Sequence, residues 1–122
     1  MAGALVDADV LIEGLRGDAS VLERIQAAAG AGRRHISVLT AAELRSGGSG
    51  DEPAVAELIA DFRVLPLDLA TAESGGRLRR RYAASHGTDL VDAILAAIAL
   101  ENDLTLVTNN PRHFPMPGLS LA

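Results

Sequence analysis

The sequence predicts an α/β domain of three layers, with helices on both faces of a mainly parallel central sheet. Two observations carry this. The apolar run "ALV" at 4–6, with no polar alternation, reads as a strand buried on both faces, as in parallel sheets. Segments with helical spacing lie between such runs, so strands and helices alternate along the chain. At 122 residues the chain reads as one domain, residues 1–122, large enough to bury about two-thirds of its unfolded surface.

The elements follow in order. "ALV" leads into Asp7 and Asp9, and "VLIEGLRG" reads as a short helix ending near Gly17. Asp18 is placed to cap "ASVLERIQAAAGAG", where Val21, Leu22 and Ile25 have helical spacing and the closing glycines supply a stop. "HISVLT" reads as a second strand, with Thr40 capping the helix "AAELRSGG". "GGSGDEP" reads as a loop, "AVAELIADF" as a helix and "RVLPLD" as a third strand. A long helix from about Thr71 to Ser85 is weakened by Gly75 and Gly76 and broken at Gly87. "DLVDAILAAIALEND" is the most strongly helical segment, "LTLVTNN" a fourth strand, and "PRHFPMPGLSLA" a Pro-rich connection into a short final strand.

Composition narrows the function. Aromatics are 2%, so base-stacking platforms are not expected. With no cysteine, thiol nucleophiles and zinc–cysteine sites are excluded. No apolar run approaches the ~20 residues that span a bilayer, and no signal segment opens the chain, so a cytoplasmic protein is expected. The net charge of −5 speaks against a generic polyanion binder, although a local basic patch suffices for nucleic acid. All 11 Lys-or-Arg positions are Arg, which excludes any mechanism that needs a catalytic lysine.

In open α/β sheets ligands bind beyond the carboxyl ends of the strands. Asp7, Thr40 with Glu43, and Thr108 with Asn110 all follow strands at that edge. Each acid also has an ordinary structural account. Asp7 or Asp9 can cap a helix, Thr40 and Glu43 match a capping box, and Asp89 and Asp92 suit a helix start. Asp92 resists that account most, because it heads a largely apolar helix where a carboxylate is costly unless paired or bound to metal. Several carboxylates converging on one sheet edge repel one another, and a hard divalent cation such as Mg²⁺ resolves that repulsion.

These blocks resemble the PIN-domain ribonucleases, and specifically the VapC-type toxins of type II toxin–antitoxin pairs. "LVDADVLI" resembles the family opening, "ISVLTAAELRSG" its glutamate helix, "VDAILAAIALEND" its aspartate helix, and "LTLVTNNPRHF" its closing strand and phenylalanine. The resemblance implies an endoribonuclease acting on RNA through a metal-activated water. It implies Asp7, Glu43 and Asp92 as Mg²⁺ ligands, with Mn²⁺ substituting, and Thr108 and Asn110 orienting water or phosphate. It also implies a small VapB-like antitoxin as partner and a homodimer. Asn110 stands where many relatives carry an acid, which bears on any second metal; Asp89 is a possible substitute, and Asp9 occupies a polar position that tolerates Asn. His35, His86 and His113 share no spacing and receive no role. Arg77, Arg80 and Arg81 share a helical face, read either as a solvated face or as an RNA backbone contact.

Two other functions fit parts of the pattern. "VDADVL" and "LVTNN" also resemble haloacid-dehalogenase-type phosphatases, with Asp7 and Asp9 as nucleophile and acid/base, but that family needs the missing Lys. A non-catalytic PIN-like interaction module is the other alternative.

Overall fold

In the computed structural model, which describes residues 3–47 and 52–122, strand β1 (Ala4–Val6) lies at the centre of the sheet. It pairs in parallel with β2 (Arg34–Ser37) on one side and β4 (Thr105–Val107) on the other. β3 (Arg63–Leu65) continues beyond β2, and β5 (Ser120–Leu121) beyond β4. The order is therefore β3-β2-β1-β4-β5, parallel throughout, as the unalternated apolar runs predict.

The pleat of β1 divides the core. Ala4 and Val6 face one cluster with Ile36, Val107 and the apolar faces of α1 (Ala8–Leu15), α2 (Ser20–Ala29), α3 (Val38–Ser46) and α4 (Glu52–Ala60). Leu5 faces the other, with Leu106, Phe114, Met116 and helix α6 (Leu90–Asn102). Helix α5 (Leu69–His86) covers α6 on that side, through Leu78 and Tyr82. Residues 93–99 of α6 are all buried, so the helix is sandwiched between the sheet and α5.

Several assignments differ from the sequence expectations, among them the cap position of α2, which is Ala19 and not Asp18, and the end of β3 at Leu65. Strand β2 stops at Ser37, and "VLT" already belongs to α3. The helix is capped by Ser37, whose hydroxyl accepts from the amides of Leu39 at 3.0 Å and Thr40 at 3.2 Å, so Thr40 is not the cap. Its hydroxyl is buried and unpartnered among the described residues. Glu52 and Pro53, read as loop, open α4; Gly47 ends α3, and 48–51 lie outside the described residues. The glycine pair does not interrupt α5, which runs unbroken through it from an Asp68 cap. At Gly75 a Cβ would stand 2.6 Å from Ile94 Cγ1 and 2.9 Å from its Cα. The missing side chain is what lets α5 and α6 approach.

Candidate active site

Each acidic side chain reaches the carboxyl edge of the sheet by a different route. Asp7 follows β1 and occupies the cap position of α1 with extended backbone, but its carboxylate makes no capping bond. Instead Oδ2 accepts from Thr108 Oγ1 at 3.0 Å, in the loop after β4. Both residues are buried. The capping account of Asp7 therefore fails, and its carboxylate is held by Thr108 instead. Glu43 lies on α3, and it has no capping role because the true cap is Ser37.

Asp89 and Asp92 do form a reciprocal cap at the start of α6. Asp89 Oδ1 accepts from the Asp92 amide at 2.8 Å, and Asp92 Oδ2 accepts from the Asp89 amide at 3.4 Å. Here the structural account holds, yet the same carboxylate also faces the site. Thr108 accepts from the Asn110 amide at 3.1 Å, and Asn110 Nδ2 donates to Asp9 Oδ2 at 3.1 Å. The loop after β4 is thus tied to both acids of the opening motif. Arg24 on α2 holds this loop from behind, donating to the Thr108 carbonyl and the Asn109 side chain.

Asp7, Asp9, Glu43, Asp89, Asp92, Asn110 and His113 line a cleft of about 310 Å³ with Val91. No Arg is in that lining, so the acids are not neutralised in place. Burial raises the Asp7 carboxyl, the hydrogen bond from Thr108 opposes it, and the Asp9 and Asp89 charges add to the rise. Glu43 is open to solvent along part of its length, but partial burial of its carboxyl lifts it too, reinforced by Asp7, Asp9, Asp89 and Asp92. Asp92 is pushed up from 3.8 to about 6, by burial first and the Asp89 charge second, with the Asp89 amide and His113 pulling the other way.

The donors suit a hard divalent cation, which prefers carboxylate oxygens. Among the described residues no three acids or histidines stand close enough together to form a ready-made metal site. The sequence reading brought Asp7, Glu43, Asp92 and Asn110 to one cleft, with Thr108 behind Asp7. It passed over His113, whose Nδ1 stands 3.2 Å from Asp92 Oδ2. Its partner is 21 residues away, so no local spacing could have shown it. Arg77, Arg80 and Arg81 of α5 are exposed, as is Arg79, and Arg81 lies over the Tyr82 ring at 5.4 Å.

Together these features define an α/β domain with a carboxylate-lined site at the strand ends. The chain belongs to the PIN-domain family, whose model matches residues 4–117. Ribonuclease VapC10 of Mycobacterium tuberculosis is 41% identical over 114 residues, covering 92% of this chain and 86% of that one. Ribonuclease VapC19 of the same species is 38% identical over 117 residues, covering 92% of each. In the crystal structure of DNA-bound VapBC from Salmonella typhimurium, one chain superposes with a TM-score of 0.78 at 26% identity, over 100% of this chain and 98% of that one. Among the described residues no helix is long and apolar enough to cross a membrane.

Proposed function

We propose that this chain is a VapC-type toxin, a cytoplasmic Mg²⁺-dependent endoribonuclease. The observation that carries the reading is the cleft itself: five carboxylates from separate parts of the chain, with no Arg among them. Asp7, Glu43 and Asp92 would hold Mg²⁺, for which Mn²⁺ would substitute; the chemistry supplied there would be acidification of water and relief of phosphate charge. Thr108 keeps Asp7 oriented through its 3.0 Å hydrogen bond. Asn110 supplies a neutral amide beside Asp9 and orients water or phosphate. Hydrolysis puts a water oxygen on phosphorus and releases the ribose oxygen, so the scissile phosphate must reach the Asp7–Asp92 end of the cleft.

The partner is a small VapB-like antitoxin, and the toxin itself is a homodimer. An apolar groove of about 350 Å³ between α1, α2 and α4, with Leu11, Leu15, Ile25 and Phe62 among its walls, offers the kind of surface an amphipathic segment covers.

The test is cleavage of a defined RNA by purified protein, with product ends sequenced. Internal cuts that need Mg²⁺ and vanish in Asp7→Asn are expected. Equal cleavage in chelator, or full activity in Asp7→Asn, overturns the reading.

A further inference from the structure

His113 reaches the cleft from a short 3-10 turn, Pro111–His113. Its backbone is fixed at both ends. The amide donates to the Asn110 carbonyl at 3.0 Å, and the carbonyl accepts from the Thr88 hydroxyl at 2.7 Å. Thr88 is only 2% exposed and directly precedes the Asp89 cap of α6. One buried hydroxyl thus joins the turn to the helix that carries Asp92. The far edge of the ring stands against Gly87, where a Cβ would lie 3.6 Å from Nε2. The ring is therefore held from several sides, with Nδ1 at 3.2 Å from Asp92 Oδ2. An ionised carboxylate only accepts, so Nδ1 carries the proton in this pair.

The two oxygens of Asp92 are in different situations. Oδ2 receives both the His113 ring and the Asp89 amide. Oδ1 makes no hydrogen bond among the described residues. A carboxylate pinned by one oxygen has a fixed plane, and its other oxygen then binds a ligand without first losing rotational freedom.

We propose that His113 is a positioning residue that donates Nδ1–H to Asp92 Oδ2 and so presents Oδ1 to a divalent cation. This rests on the reading of Asp92 as a metal ligand. The Asp89 amide supplies the second restraint, but at 3.4 Å it is the longer of the two. A donor placed behind a ligand in this way typically changes metal affinity by about 10–100-fold.

The experiment is a Mn²⁺ titration of the full chain, with free Mn²⁺ followed by electron paramagnetic resonance. His113→Ala removes the donor. His113→Asn keeps an N–H bonded to Cγ, close to where Nδ1 stands. The dissociation constant should rise about tenfold in His113→Ala and stay within about twofold of wild type in His113→Asn. Unchanged binding in His113→Ala overturns the proposal. So does a folded His113→Asn variant as weak as His113→Ala, and the Asn variant alone decides if the Ala variant does not fold. Asp92→Asn separates the two readings. If it loses Mn²⁺ affinity while His113→Ala does not, only the role of His113 falls. If Asp92→Asn binds Mn²⁺ as wild type does, the ligand assignment falls and the proposal with it.

Discussion

Asp92→Asn should kill RNA cleavage and yet change stability in a pH-dependent way that a simple cap could not produce. In metal-free protein the folded Asp92 titrates at about 6 against an ordinary 3.8. That difference corresponds to about 3 kcal/mol against the ionised form. The side chain is 13% exposed in an open cleft, and water screening reduces the working figure to about 1–2 kcal/mol. Between the two values the folded state binds more protons than the unfolded chain. Stability from this group is therefore greatest below about 4, declines as pH rises to about 6, and stays fully penalised above that. Asn cannot ionise, so it escapes the penalty. It also weakens the reciprocal cap with Asp89, at a cost of about 1 kcal/mol at every pH. The variant should melt below wild type near pH 4 and at or above it near pH 7.5. With roughly 3–5 °C per kcal/mol for a chain of this size, the gap should move by about 3–10 °C between the two pH values. Adding Mg²⁺ at about 100 times its dissociation constant should stabilise wild type by about 2.7 kcal/mol and the variant by less. Thermal melts in chelator and in Mg²⁺, at both pH values, make the measurement. A gap that does not move with pH, together with equal Mg²⁺ responses, leaves Asp92 as a helix cap and refutes the electrostatic argument.

Three further outcomes are expected. Gly75→Ala should destabilise the fold by about 1–3 kcal/mol, because its Cβ would meet Ile94 Cγ1 and, just behind it, the Ile94 backbone, which cannot yield; denaturant melts read it, and a neutral effect means the helices are not in close contact there. Ser37→Ala should cost about 1 kcal/mol by removing the cap of α3, while Thr40→Ala, which removes a hydroxyl with no partner among the described residues, should cost less; the opposite order in urea midpoints would restore Thr40 as the cap. Reversing Arg77 and Arg81 to Glu should weaken RNA binding and flatten its dependence on salt, and an unchanged slope in filter binding assigns these arginines to an ordinary solvated face.

Where the sequence was legible, the reason is period and burial. Residues 4–6 are apolar without alternation because both faces of β1 are covered, and residues 93–99 of α6 are apolar all round for the same reason. The acids at the strand ends followed from topology. The rest depended on contacts distant in sequence or on a choice between near-equal local states. Val38 and Leu39 extend an apolar run and look like strand, but the Ser37 hydroxyl turns them into the first turn of a helix. Gly75 looks like a helix weakener until the packing of Ile94 is known. Asp89 and Asp92 show why a cap and a site are not exclusive: the reciprocal bonds that start α6 also fix the carboxylate that faces the cleft. His113 had no signal at all, because its partner arrives from another helix.

The central strand of the sheet precedes its four neighbours in the described sequence. β1 receives β2 on one side, but its other neighbour is β4, so one edge of the earliest strand waits for residues 105–107. Only then does Thr108 close onto Asp7 and Asn110 onto Asp9. A ribosome-bound chain that ends before β4 carries Asp7, Glu43 and Asp92 without the geometry that makes them a site. Assembly of the cleft is thus timed by topology: the acids from three separate stretches of chain come together only once β4 has paired with β1.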